Sequence, residues 1–192
     1  MVMKANALPL AGVVEITPDR HVDDRGYFSE TFRDRWFRDE VARVTFVQEN
    51  QSLSRAPGTV RGLHFQTAPF EQGKLVRCLS GAIFDVAVDI REGSPSYGRW
   101  LGLTLTAEAG NQLWVPPGFL HGFCTLTPDT LVSYKVTQYY SPSHDAGAAW
   151  DDPDIGIAWP SIADSGLLSP KDRRHPRLRE LVTSLDAAME RG

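Results

Sequence analysis

The chain has 192 residues, 42% of them hydrophobic, and a formal net charge of −4. That is enough for one domain with a full core, or one domain plus a dimerisation arm, and too apolar for a disordered polypeptide. Charges of both signs are interspersed without a basic block, which argues against nucleic-acid binding, and no apolar run approaches the roughly 20 residues that span a bilayer.

In chain order, Met1 to Gly12 carries one lysine and only a short apolar patch, so it does not read as a signal peptide. Val13 to Thr17 and Tyr27 to Phe32 are weak strand candidates. Arg35 to Arg43 reads as a short amphipathic helix, with Trp36, Phe37 and Val41 near helical spacing. Thr45 to Gln51 and Val60 to Gln66 are again weak strands. The signal then sharpens, with strands expected at Lys74 to Ser80, Ala82 to Ile90, Trp100 to Thr106, Asn111 to Val115, Leu120 to Leu126 and Leu131 to Tyr140. Turn pairs such as Ser80-Gly81 and Pro117-Gly118 separate them. Leu178 to Arg191 spaces Leu178, Leu181, Leu185 and Met189 for a C-terminal helix that caps a sheet or crosses to a neighbouring subunit. Short β-rich runs between glycines and prolines, with no internal repeat or linker, imply one all-β sandwich or barrel over residues 1–192.

Both cysteines, Cys78 and Cys124, lie in hydrophobic strands, which fits buried free thiols and a cytoplasmic protein. In Ala82 to Ile90 the two-residue period puts Asp85 and Asp89 on one face with Ile83 and Ala87. Two carboxylates there imply either a barrel interior that is a polar pocket, or a half-exposed sheet with both groups solvated.

Five histidines are present, and His64 and His121 each lie within an apolar strand introduced by a glycine, which suggests a shared pocket. Neither strand offers a His-x-His pair or a nearby Glu, so a metal site is disfavoured. A Gly-x-Ser-x-Gly elbow and the phosphate-binding glycine loops are also missing. Acid/base chemistry remains, and histidine, tyrosine, lysine and aspartate suit it.

Six segments carry a family likeness: Asp24-Arg25-Gly26-Tyr27-Phe28, Arg61-Gly62-Leu63-His64-Phe65-Gln66, Gln72-Gly73-Lys74-Leu75-Val76-Arg77, Phe84 to Arg91, Pro117 to Phe123, and Trp150-Asp151-Asp152-Pro153. In matching order over roughly Val13 to His175, the chain resembles the dTDP-4-dehydrorhamnose 3,5-epimerases. The resemblance implies an all-β, cupin-type jelly-roll barrel with short peripheral helices, acting on a dTDP-4-keto-6-deoxy-hexose without cofactor or metal. It also implies a homodimer whose N-terminal strand crosses to the partner.

By that resemblance His64 is the base, Asp172 its carboxylate partner, Tyr134 the acid on the opposite face, and Lys74 the stabiliser of the enolate oxygen. His121 and Asp85 are expected to support the pocket, paired with each other. Arg25 and Arg61 match diphosphate positions, and Tyr140 matches a tyrosine that stacks on thymine. Glu30, Gln48, Asn50, Lys171 and Asp145 fall at other substrate positions, Asp145 standing where Glu is more usual. Strict alternation would send Arg61 and His64 to opposite faces, so both reach one pocket only if the ladder breaks, and Gly62 is the natural bulge. Rival readings are a mono-epimerase inverting only carbon 3 or carbon 5, a metal-dependent cupin, and a non-catalytic sugar-nucleotide binder.

Overall fold

From residue 74 onward the alternating residues form strands as their periodicity requires, and together with the two strands that precede them they make the two walls that hold the site. The computed structural model describes residues 3–181. Its strands are β1 (Lys4–Ala7), β2 (Val14–Thr17), β3 (His21–Asp23), β4 (Gly26–Phe28), β5 (Gln48–Ser54), β6 (Val60–Gln66) and β7 (Lys74–Ser80). They continue as β8 (Ala82–Asp89), β9 (Trp100–Thr106), β10 (Gln112–Val115), β11 (Phe119–Thr125), β12 (Thr130–Val136) and β13 (Asp145–Gly147), and helix α1 (Asp34–Glu40) lies between β4 and β5.

A six-stranded antiparallel sheet in the order β1-β2-β10-β7-β12-β5 faces a five-stranded one in the order β13-β6-β11-β8-β9. This is the expected jelly-roll architecture. Between the sheets lie Val76, Leu113, Val115 and Val132 from the first, against Ile83, Ala87, Leu105, Phe119 and Phe123 from the second. The outer face of the second sheet is also covered: Leu63, Val86, Val88 and Leu120 pack against Ala148, Ile155, Leu178 and Leu181. On the outside of the first sheet, Phe37 of α1 is 1% exposed and meets Trp114 edge-on at 5.2 Å between centroids. Burying aromatic rings of this size contributes on the order of 2–3 kcal/mol each.

Several boundaries differ from the sequence reading. The strand expected at Thr45 to Gln51 runs Gln48–Ser54, and that expected at Leu131 to Tyr140 stops at Val136, after which the chain turns. Tyr27 to Phe32 contributes only the exposed hairpin strand β4, paired with β3. The proposed C-terminal helix is described only from residues 178–181, and the rest of Leu178 to Arg191 lies outside the described residues. Neither Asp85 nor Asp89 is solvated, so the half-exposed-sheet alternative is wrong. Asp89 instead staples a loop, accepting from Arg91 Nε at 2.9 Å and from the hydroxyls of Ser94 and Ser96 at 2.6 Å each. Burial opposes its charge, but these donors hold its carboxyl well below the usual range.

Candidate active site

One wall of the site comes from β6 and β11. His64 and His121 are directly opposed across this strand pair, so both side chains leave the same face. The register slips between His121 and Phe123, which brings Arg61 opposite Phe123 and onto that same face. Gly62 sits at the slip with φ +141°, and a Cβ there would lie 2.6 Å from Gly122 Cα. Glycine is therefore required, and the expected bulge is present.

His64 is fixed from behind. Its Nε2 lies 2.6 Å from Oδ1 of Asp172, which is carried by the 3-10 turn Asp172–Arg174. Asp172 is 4% exposed, and its backbone N–H donates to Ser169 Oγ at 3.1 Å. Burial lowers the His64 pKa, the Asp172 carboxylate opposes that, and the nearby Lys74 and Lys171 charges lower it further. The net effect keeps the imidazole neutral at neutral pH, with Nε2–H donated to Asp172 and Nδ1 left as the basic nitrogen. Burial works against the Asp172 charge as well, but the His64 hydrogen bond prevails and the carboxyl stays ionised. Beside His64, the His121 Nε2 lies 2.8 Å from Asp85 Oδ1, as the pairing of these two residues anticipated.

The facing wall is the six-stranded sheet. Lys74, Val76 and Cys78 alternate inward along β7, as do Val132 and Tyr134 along β12, and the two strands are neighbours. Lys74 is not the water-exposed edge lysine that its position at a strand start allowed. It lies in an interior strand, is 8% exposed, and its amine has no hydrogen bond or ion pair among the described residues. Burial brings its pKa down from 10.5 to about 8, against the pull of the Asp145 and Asp85 carboxylates. Burial also raises the Tyr134 phenol, while the Arg61 charge and a hydrogen bond with Asn50 oppose the shift, so Tyr134 carries its proton at neutral pH.

These groups converge on a cavity of about 350 Å³ lined by Arg61, His64 and His121 on one side and by Ser52, Lys74 and Tyr134 on the other. Lys171 and Asp172 close one end. A neighbouring lobe, also about 350 Å³, shares His64, Lys74, Tyr134 and Lys171 and adds Gln48, Asn50, Tyr140 and Asp145. Tyr140 is half exposed, donates its hydroxyl to Asp145 at 2.8 Å, and is further restrained where its backbone N–H meets Gln48 Oε1 at 3.2 Å. Asp145 is also bridged by Lys171. Arg61 is held by the neutral Ser54 hydroxyl at 3.0 Å and the Leu53 carbonyl at 3.1 Å, so its positive charge is uncompensated by these contacts.

Two expected site residues stand apart. Arg25 pairs with Asp23 at 2.6 Å with its side chain 89% exposed, and Glu30 pairs with Arg33 at 2.8 Å; neither lines the cavity. The sequence reading also missed Gln66, whose amide donates to the carbonyls of Phe70 and Tyr139 and whose oxygen receives the Ser141 N–H, pinning the loop that carries Tyr140. Spacing within single strands offers no metal-ligand set. The fold gathers His64, Asp172 and His175 so that one donor atom from each lies within 4.8 Å of the others, a grouping no local spacing reveals.

A half-buried base with a carboxylate behind it, a protonated phenol on the facing wall, and a lysine amine without a partner among the described residues can together move protons on a carbon next to a carbonyl. Comparison with known proteins points the same way. The family model described as dTDP-4-dehydrorhamnose 3,5-epimerase matches residues 7–180. The dTDP-4-dehydrorhamnose 3,5-epimerase of Sinorhizobium fredii is 58% identical over 182 residues, covering 95% of this chain and 93% of that protein. The crystal structure of the Bacillus anthracis epimerase with TDP and PPi bound superposes with a TM-score of 0.89 at 44% identity, covering 92% of this chain and all of that one. A Legionella pneumophila epimerase in complex with dTDP-4-keto-L-rhamnose gives a TM-score of 0.86 at 39% identity, with 93% and 94% covered. The sequence motifs, the sandwich and these similarities agree, and the chain belongs to the dTDP-4-dehydrorhamnose 3,5-epimerase family.

Proposed function

We propose that the chain inverts carbons 3 and 5 of dTDP-4-keto-6-deoxyglucose, giving dTDP-4-keto-L-rhamnose, without a cofactor. The observation that carries the reading is that His64 and Tyr134, from opposite sheets, line one cavity together with Lys74. The protons on carbons 3 and 5 are acidic because the adjacent ketone delocalises the carbanion as an enolate. His64 Nδ1 takes the proton and the imidazole becomes imidazolium, stabilised by Asp172. The Lys74 ammonium donates to the enolate oxygen, where a single such donor is worth about 3 kcal/mol of barrier. Tyr134 delivers its proton to the other face, and solvent then restores His64 and Tyr134 for the second carbon.

Arg61 and the uncompensated charge around it suit the diphosphate, and Tyr140, steadied through Asp145, offers a stacking surface to the base. His121 with Asp85, and Lys171, Gln48 and Asn50, complete the binding surface. Arg25 and Glu30 act in this scheme from a second subunit. The β3–β4 hairpin that carries Arg25 leaves Val22 79% and Phe28 63% exposed, an apolar arm that fits insertion into the partner of a homodimer. Each chain acts as one jelly-roll unit. Two free, buried cysteines fit a reducing, cytoplasmic setting.

Solvent deuterium wash-in to dTDP-4-keto-6-deoxyglucose tests the proposal and separates it from mono-epimerisation: two exchanged positions are expected, against one. His64→Ala should abolish exchange, and Tyr134→Phe should retain part of it while inversion fails. Undiminished exchange in His64→Ala would overturn the assignment of the base.

A further inference from the structure

One imidazole near the site has no part in the scheme above. His175 follows the 3-10 turn that carries Asp172, and its backbone N–H approaches the Asp172 carbonyl at 3.4 Å. Its ring stands edge-on to His64, with centroids 5.4 Å apart and planes at 84°. The ring occupies space that only glycine leaves open, since a Cβ on Gly147 would lie 2.3 Å from His175 Cε1 and 2.4 Å from Nδ1. Gly147 itself pairs with His64 across β13 and β6. Strand pairing, turn and glycine thus jointly hold the second imidazole against the first. His175 Nδ1 is buried and has no well-formed hydrogen bond, although the Ala148 backbone lies near the ring. A buried polar atom in that state is costly unless something else meets it.

We infer that His64, Asp172 and His175 form a site for one divalent transition-metal ion of the zinc class, and that filling it switches the base off. Two imidazoles and a carboxylate are a donor set zinc accepts, with a fourth position left to water from the cavity. Zinc–ligand bonds of about 2.0–2.1 Å put neighbouring donors roughly 3.3 Å apart in a tetrahedron, so the donors, now within 4.8 Å, need only modest movement. The closest pair, His64 Nε2 and Asp172 Oδ1 at 2.6 Å, has to open while the other donors close in. The consequence for His64 follows from imidazole chemistry. A metal on Nε2 displaces the proton shared with Asp172, and a neutral ring then carries its single N–H on Nδ1, the nitrogen that must be bare to accept a proton. Metal binding and base catalysis exclude each other. This second half rests on the reading of His64 as the base; the site itself does not.

Equilibrium dialysis with Zn²⁺ on the metal-free protein, without substrate, reads the site, and epimerase assays across the same Zn²⁺ series read the switch. We expect one tightly bound Zn²⁺ per chain, inhibition with the same midpoint, and recovery with EDTA. In His175→Ala and His175→Gln, each checked for folding by circular dichroism, affinity should fall by about tenfold or more, since even outer-sphere changes cost about 10–100-fold. Co²⁺ should give the intense visible bands of a tetrahedral site in wild type and lose them in both variants. Failure of the wild type to saturate below about 1 mM Zn²⁺, a free energy no better than about −4 kcal/mol, would overturn the site. Unweakened binding in His175→Gln would do the same. Saturable binding without inhibition would uphold the site and overturn the base assignment.

Discussion

Replacing Lys74 by methionine separates its cost to the fold from its use in catalysis. The ammonium is 8% exposed, without a hydrogen-bond partner among the described residues, and its pKa falls from 10.5 to about 8. Below pH 8 the folded and unfolded chains are both protonated at this position, and the buried charge destabilises the fold. Between about 8 and 10.5 the unfolded chain holds a proton that the folded chain has released, so folding stability rises with pH across that window. At about 1.4 kcal/mol per pKa unit, the displacement amounts to roughly 3 kcal/mol. Lys74→Met keeps the length of the side chain and removes the titration. Urea unfolding of both proteins at pH 7 and at pH 10.5 measures the effect. The variant should be the more stable at pH 7, and its advantage should shrink by about 3 kcal/mol at pH 10.5. Subtracting the two curves cancels the groups that titrate there independently of Lys74. At pH 7 the same variant should lose about a hundredfold or more in kcat, because no donor meets the enolate oxygen. An advantage that does not change with pH would show that Lys74 is not an ammonium suppressed by burial, and the argument for its role would fail.

Three further outcomes follow from the geometry. Asp172→Asn should lower kcat by about 10²–10⁴ with little change in KM, because the amide can donate to His64 Nε2 and leave the proton on Nδ1; steady-state kinetics decide it, and a change confined to KM would count against the pairing. Gly62→Ala places a methyl 2.6 Å from Gly122 Cα at φ +141°, so denaturant titration should show a loss of about 1–3 kcal/mol, with activity falling further as Arg61 and His64 are displaced. If Arg25 serves the partner's cavity, mixing refolded Arg25→Ala with His64→Ala should restore about a quarter of wild-type activity, since half the dimers then contain one intact site; no recovery alongside a dimer in sedimentation would refute the crossing.

How far the sequence revealed the molecule depended on what specifies each part. Strands β7 to β12 were legible because each puts apolar residues on at least one buried face, as in Phe84, Val86 and Val88 against Ile83 and Ala87. Strand β5 was blurred for the opposite reason: its inward residues Gln48, Asn50 and Ser52 face a polar cavity, so no hydrophobic alternation marks it. Strand β1 is exposed at all four positions and exists through its ladder to β2, a pairing that leaves no pattern in Lys4–Ala7. The candidate site was legible through family motifs, and its mutual arrangement through one glycine. Asp172 and His175 reach His64 across 108 and 111 residues of chain, through a segment with little regular structure, and tertiary packing alone brings them there.

The slip at Gly62 has a consequence for substrate choice. Arg61 and His64 grow from one strand, three residues apart, on either side of the slip at Gly62. If Arg61 grips the diphosphate and His64 takes the proton, as proposed above, their shared strand keeps that separation whatever the surrounding loops do. On that reading a sugar nucleotide whose linkage is longer or shorter than a diphosphate would arrive with the wrong carbon beside the imidazole, and the backbone itself would be the gauge of which substrates react.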